Sequence, residues 1–471
     1  MHRFFKISIV YKHQLATCKP CVHHTRCVGW AASTRSAPTP ASIRSMPKKT
    51  PKQLPKRISK DKDAHSHTLA LARRSVSRIN VDRPGPRGST PLIMACKQGD
   101  TAEVQMWLDL GADPAKEGKQ FEKPEEDADF QVLPASEAAE RGHGDIVKLL
   151  LSLDGVNVND ATSDEGFTPL YCAAYAGKLS VVEILLAYDD VDVNKPRISD
   201  GSTPLYMACA DGHTEAVKAL LAFDGIDVNM PTTDDTPLCT SCFKGHTEIV
   251  KALLACDGIE VNRGTGDVGA TPIYLACFSG HLEILNALLA YAGVDVNKRK
   301  AEGGNTPLYA ACYKGNSDIV RALLAHAGVD VNLATTDDGA TPLFTACYQG
   351  HTEVVKALIA RDGLDVNKAP TDDGVTPLYI ACYEGHVEIV KALLMCDGID
   401  LNKARFDDGV TPIYNACYQG HPQIVKALLE CKGIAVNRGR TDTGETPLHA
   451  AAWGGELEIV RQLVAYGAKL V

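Results

Sequence analysis

The sequence predicts an all-α solenoid of stacked helix pairs, preceded by a disordered, basic N-terminal segment. A proline at the start of a short apolar stretch recurs eleven times, mostly 35 residues apart. A glycine follows each of these stretches, and an amphipathic stretch follows the glycine. An internal period of about 20 to 50 residues is the signature of a repeat architecture. The recurring prolines are Pro91, Pro134, Pro169, Pro204, Pro237, Pro272, Pro307, Pro342, Pro377, Pro412 and Pro447.

The first helix of a unit is clearest in TPLYIACYEGH, which begins at Thr376. Threonine is a good N-cap because its hydroxyl accepts a hydrogen bond from a free backbone N–H. Proline suits the first helical position, where its missing N–H costs nothing. An apolar run follows, and Gly385 favours a left-handed helix end. The stretch therefore predicts a short helix that ends at a glycine.

The second helix of the same unit is predicted over residues 387–395. Ile389, Val390, Leu393 and Leu394 share one face of it at helical spacing. The segments DGIDLNK and DDG then supply the Gly, Asn and Asp residues that favour turns. Each unit is thus predicted as helix, turn, helix and an extended loop or hairpin.

These units resemble the ankyrin repeat, whose signature is T-P-L-H-x-A followed by a second helix. The resemblance covers residues 84–471 in eleven tandem units of about 35 residues. The histidine of that signature is tyrosine in most units and histidine only at His449. The resemblance implies a non-catalytic scaffold or adaptor that binds other proteins through the concave groove and hairpin tips. It implies neither an enzyme nor a cofactor, and we expect a monomer.

Charge divides the chain into two parts. Residues 1–83 hold 18 Lys and Arg against three acidic residues, a net charge of +15, whereas residues 84–471 have a net charge of −24. Nucleic acid is an unlikely partner for the acidic solenoid because phosphate contacts need basic side chains. The basic segment admits several interpretations: a disordered tail, a targeting peptide, or a weak contact with nucleic acid or membrane. A further alternative is a regulatory module whose basic segment blocks its own solenoid.

The location predicted for the protein is intracellular. No apolar run is long enough for a transmembrane helix. A cytoplasmic location is favoured, while the basic segment leaves nuclear or organellar targeting open, since PKKTPKQLPKR from Pro47 resembles a nuclear localisation element. The Cys-x-x-Cys spacing at Cys18 has no second ligand pair at the usual distance, so no metal site is expected.

Cysteine and histidine recur at fixed positions of the unit, and both rows are interpreted as structural. Equivalent side chains on helices about 8–10 Å apart can neither form disulfides nor share one zinc ion. We expect the cysteines to be small buried side chains in a reducing compartment. The cysteine row is Cys96, Cys209, Cys242, Cys277, Cys312, Cys347, Cys382 and Cys417; the histidine row is His213, His246, His281, His351, His386 and His421.

The candidate binding residues lie just before the glycine of the first helix, where the resemblance implies the groove. The first of two positions is aromatic in seven successive units, and the second is polar and varied. Aromatic side chains are enriched at binding hot spots. The alternative is that these rings pack between neighbouring helices, or recur because the units were copied. The aromatic row is Phe243, Phe278, Tyr313, Tyr348, Tyr383, Tyr418 and Trp453, and the polar candidates are Lys244, Lys314 and Glu384.

Two irregularities are expected to change the loops. The first proline spacing is 43 residues, which places an acidic, solvated insert within residues 114–131. The spacing from Pro204 to Pro237 is 33 residues, which predicts a notch in the row of tips. Loop asparagines such as Asn332 recur in nine units, where we expect them to bond the loop backbone, with hydroxylation as a weaker alternative implied by the resemblance.

Overall fold

The computed structural model describes residues 80–85, 88–120, 130–370 and 373–469. The predictions for the basic segment therefore lie almost entirely outside the described residues. Within them, 22 helices form eleven pairs. The first helices are α1 (Pro91–Gln98), α3 (Pro134–Arg141), α5 (Pro169–Tyr175), α7 (Pro204–Ala210), α9 (Pro237–Lys244), α11 (Pro272–Ser279), α13 (Pro307–Lys314), α15 (Pro342–Gln349), α17 (Pro377–Glu384), α19 (Pro412–Tyr418) and α21 (Pro447–Gly454). The second helices are α2 (Thr101–Asp109), α4 (Gly144–Leu151), α6 (Leu179–Leu186), α8 (Thr214–Leu221), α10 (Thr247–Leu254), α12 (Leu282–Leu289), α14 (Ser317–Ala325), α16 (Thr352–Ile359), α18 (Val387–Leu394), α20 (Pro422–Leu429) and α22 (Leu457–Tyr466).

The caps confirm why the first helices begin and end where they do. In α17 the Thr376 hydroxyl accepts a hydrogen bond from the backbone N–H of Tyr379 at 3.1 Å, and Gly385 closes the helix at a φ of 81°. The same arrangement recurs in most units. In α3, where Leu133 replaces threonine, no side chain caps the helix. Local sequence therefore sets the bounds of these short helices.

The second helices bury one face and expose the other. In α18, Ile389, Val390 and Leu393 are fully buried. On the opposite face Glu388 pairs with Lys391 at 2.8 Å, and both side chains are more than half exposed. Such an exposed pair adds little stability, so the buried face holds the helix in the stack.

Small side chains let the first helices approach each other closely. Ala381 and Cys382 have no exposed surface, and the equivalent positions of the other inner units also hold small buried residues. Neighbouring first helices pack against one another more extensively than neighbouring second helices do. The first helices therefore form the more tightly packed row of the stack.

The loop asparagines join successive units. Asn332 donates through its amide to the carbonyl of Gly363 at 2.7 Å and accepts from the N–H of Asp365 at 2.9 Å. Equivalent pairs of bonds recur from Asn159 to Asn402. The expectation that these side chains bond loop backbone is confirmed, and the loop that they bond belongs to the next unit.

Two short strands lie at the described ends of the insert, while the predicted acidic loop falls mostly outside the described residues. β1 (Gly118–Gln120) pairs antiparallel with β2 (Phe130–Val132), with Lys119 opposite Gln131. The segment is long enough to fold back, so its two ends satisfy each other's backbone groups. Residues 121–129, which carry most of the acidic side chains, lie outside the described residues.

The shortened tip keeps its place in the row of tips. Within it the N–H of Thr232 donates to the carbonyl of Asp235 at 2.8 Å. Thr233 N–H donates to the carbonyl of Asp200 in the preceding tip, also at 2.8 Å. The loss of two residues is therefore absorbed inside the tip, and the contact between neighbouring tips is retained.

Candidate functional site

The aromatic row lies at the C-terminal ends of the first helices. Phe243, Phe278, Tyr313, Tyr348 and Tyr383 are half-buried. Tyr418 is 41% exposed and Trp453 is 84% exposed. The rings therefore combine contact with the stack and an exposed portion, and the exposed portion is largest toward the C-terminal end.

Buried tyrosines one helical turn earlier support two of these rings. Tyr274 stacks on Phe278 with ring centroids 6.1 Å apart, and Tyr414 stacks on Tyr418 at 6.5 Å. Both buried partners are at most 5% exposed. A residue and its neighbour four positions later share a helix face, so the unit places one ring in the core and the next at the surface.

The buried tyrosines also connect neighbouring units. The Tyr414 hydroxyl donates to the Glu445 carboxylate at 3.3 Å, and the Tyr171 hydroxyl lies 3.1 Å from the Ser202 hydroxyl. Burial raises the pKa of Tyr379 to about 12. At His449, where the usual ankyrin histidine is present, the ring instead bonds Thr446 of its own helix.

The three charged candidates lie beside the aromatic row and differ in their surroundings. Lys314 places its ammonium 4.1 Å from the Phe278 ring centroid, a cation–π contact between neighbouring units. Lys244 lies 3.8 Å from the Asp211 carboxylate. Glu384 is exposed and helps to raise the pKa of Tyr383, after the larger effect of burial. The chain's own lysine thus covers Phe278.

The histidine row has a function that the sequence alone did not indicate. These residues precede the second helices but form no capping bond there. Instead, the His351 ring nitrogen lies 3.1 Å from the carbonyl oxygen of Tyr313 in the preceding unit, and five other units show equivalent bonds. In the sequence, the only sign of this function was that each histidine directly follows the glycine that ends a first helix. Three of these histidine bonds reach the helix ends that carry Phe243, Tyr313 and Tyr383.

The cysteine row is buried, as expected. All eight members are free thiols without significant exposure. Burial raises the pKa of Cys96 and of Cys209 to about 12, so neither thiol ionises near neutral pH. These cysteines belong to the packing between first helices.

One buried carboxylate near the N-terminal end was missed by the sequence analysis. Glu137 is 1% exposed, and burial, aided by Glu140 and opposed by Lys97, raises its pKa to about 7. Its Oε1 atom lies 3.2 Å from Arg141 Nε and 3.9 Å from Lys97 Nζ. Its Oε2 atom has no hydrogen-bond partner. In every other unit this position holds an uncharged residue, such as Leu275 or Ile380, so the single acidic residue was the signal in the sequence.

The described part of the chain shows neither a cluster of metal-binding side chains nor a membrane-spanning helix. Its histidine, cysteine and acidic side chains form no group of three that is placed to hold a metal ion. None of its helices combines the length and apolar character needed to cross a bilayer.

Comparisons with known proteins agree with this architecture. The family model described as ankyrin repeats in three copies matches residues 117–197, 189–265, 264–335, 327–405 and 398–471. The chain is also similar to the crystal structure of the human ASB11 ankyrin repeat domain, with 27% identity, half of this chain and all of that chain covered, and a TM-score of 0.41. No curated protein matches the sequence significantly. Because the family model matches most of its length, the chain belongs to the ankyrin-repeat family.

Proposed function

We propose that the protein is a non-catalytic adaptor that binds partner proteins through its concave groove and hairpin tips. Ankyrin repeats are generally protein–protein interaction modules. The observation that carries the proposal is the aromatic row at the ends of the first helices, with Tyr418 41% and Trp453 84% exposed. Exposed aromatic rings lose contact with water when a partner covers them, and they are the residues most enriched at binding hot spots.

The rigidity of the groove also supports binding. Three of the aromatic residues, Phe243, Tyr313 and Tyr383, have backbone carbonyls bonded by the histidine of the next unit, as His421 bonds Tyr383 at 3.3 Å. The loops are joined by the asparagines, as Asn367 bonds Gly398 at 2.8 Å. A surface that is already ordered loses little conformational entropy when a partner binds.

The test is affinity capture with the full chain as bait, from a lysate of cells that produce the protein. A double variant, Tyr418→Ala with Trp453→Ala, removes the two most exposed rings. The matched control is Met395→Ala, because Met395 is 84% exposed at the end of a second helix, away from the aromatic row. Circular dichroism and thermal melts establish that both variants fold.

The expected result is a set of proteins held by the parent chain and by Met395→Ala, and lost by the double variant. The same proteins on all three baits would contradict binding at the groove. A protein that is captured only when both rings are present would support the adaptor proposal. Removal of residues 1–79 from the same baits tests the alternative of self-inhibition, which predicts stronger capture.

A further inference from the structure

We infer that the last four rings of the aromatic row bind a basic, proline-rich segment in the polyproline II conformation, an inference that rests on the groove proposed above. These rings are Tyr348, Tyr383, Tyr418 and Trp453. Their spacing, their polar neighbours and the charge around them each favour this occupant.

The spacing of the rings matches the pitch of polyproline II. Packed helices lie about 8–10 Å apart, so rings at one repeat position recur at about that interval. Polyproline II rises about 3.1 Å per residue with three residues per turn, so every third residue recurs on one face after about 9.3 Å. A β-strand fails this match, because its residues alternate between faces and residues three apart point in opposite directions.

An α-helix repeats on one face at about 10.5 Å, every seven residues, so spacing alone does not exclude it. The polar neighbours of the rings favour polyproline II over an α-helix as the bound conformation. Gln349 and Gln419 follow Tyr348 and Tyr418, and the Trp453 indole adds a further N–H donor. Polyproline II leaves its backbone carbonyls free to accept such hydrogen bonds, whereas a helix has already used them. Aromatic grooves lined with donors are the usual means of recognising this conformation.

The partner's own charge follows from the acidic surroundings. Across the last four units, the tips and first helices contain nine acidic residues and two arginines, a net charge of −7. Both arginines are already paired: Arg405 with Asp408, and Arg440 with Asp442 at 2.5 Å. Those four first helices contain no lysine or arginine, in contrast to Lys314 over Phe278. Lysine or arginine between the prolines of the partner complements this surface.

The test measures peptide binding to the full chain by fluorescence anisotropy. The first peptide has about twelve residues, with proline at every third position and arginine between, so that four prolines span about 28 Å. The second inserts one glycine between the middle prolines, which moves two of them about 3 Å out of register. The third replaces arginine with glutamate, and the fourth is a basic α-helical peptide with leucine at every seventh position.

The first peptide is expected to bind at least ten-fold more tightly than each of the others. Trp453→Ala and Tyr418→Ala should each weaken it at least five-fold, while Met395→Ala leaves it unchanged. Because Trp453 is 84% exposed, its loss is compatible with folding, and a shift of its fluorescence on binding gives an independent readout. Trp453→Phe keeps an aromatic ring but loses the indole N–H, so it should weaken binding less than Trp453→Ala does.

Equal affinity for the first and second peptides would overturn the inference, because the three-residue spacing of the prolines would then have no effect on binding. Tighter binding of the helical peptide, or binding of no peptide at all, would also overturn it. If groove variants still lose their captured partners in those cases, the adaptor proposal stands without the polyproline II partner. Peptide binding that ignores the loss of Trp453 and Tyr418 would contradict both proposals.

Discussion

Replacing Glu137 with glutamine should stabilise the N-terminal units at alkaline pH and leave them unchanged at acidic pH. Glu137 lies in α3 against α1, is 1% exposed, and has one carboxylate oxygen without a partner. Its ion pairs with Arg141 and Lys97 do not compensate for its burial, since the net effect raises its pKa from 4.5 to about 7. Glutamine has a similar shape and no charge to desolvate.

The magnitude follows from the pKa shift. The folded state holds the Glu137 proton more tightly than the unfolded state, so the contribution of this group is most favourable below about pH 4.5 and is lost as pH rises through 7. One pKa unit corresponds to about 1.4 kcal/mol, so a shift from 4.5 to about 7 corresponds to about 3 kcal/mol. The ion pairs are already included in this net shift, so the expected gain of the variant at pH 8 is also about 3 kcal/mol.

The assay is hydrogen exchange of the α1 and α3 backbone amides, because repeat proteins open locally and a global melt would average over all eleven units. At pH 8 the protection of these amides should rise on the order of 100-fold in Glu137→Gln after correction for intrinsic exchange. At pH 4, below the pKa of Glu137 in both the folded and the unfolded state, the two proteins should agree. The control is Glu248→Gln, an exposed residue of α10 whose pKa is lowered by Lys251. Equal protection at pH 8 would refute the conclusion that burial dominates at Glu137.

Three further predictions concern the bonds between units. Asn332→Ala removes two backbone hydrogen bonds and should destabilise the protein by about 1–3 kcal/mol in urea unfolding, whereas an unchanged midpoint would show that water replaces both bonds. Gly350→Ala places a Cβ 2.6 Å from the His386 ring at a φ of 79°. It should lower the free energy of unfolding more than Gly363→Ala does, where φ is 81° and the space is open. Equal losses of stability would mean that only backbone strain matters. Half-buried Cys396 should react with a maleimide before the buried cysteine row, as peptide mass spectrometry would show, and simultaneous labelling would contradict the packing.

The parts of the fold that depend on neighbouring residues in sequence were predictable, and the contacts between units were not. Thr376 and Gly385 mark the ends of one helix through bonds within that helix, so their sequence positions suffice. His351 and Asn332 bond to carbonyls more than 30 residues away, and such partners depend on how units stack. Sequence predicted the position of the aromatic row but not its exposure, because exposure depends on the neighbouring unit. Whether these rings bind a partner stays a proposal.

Packing alone does not account for the aromatic row. Copied units would explain why Tyr348, Tyr383 and Tyr418 share a residue type, yet other positions of the same units have diverged, including the buried position occupied by Ile380 in α17. Trp453 differs in residue type from the tyrosines, so it does not simply repeat them. It is also 84% exposed, so contacts among the described residues do not require a ring there. Because Trp453 lies in the last helix pair of the described residues, no following unit among them packs over its ring; coverage by a partner stays a proposal, and Trp453 is the first residue to change in testing the groove.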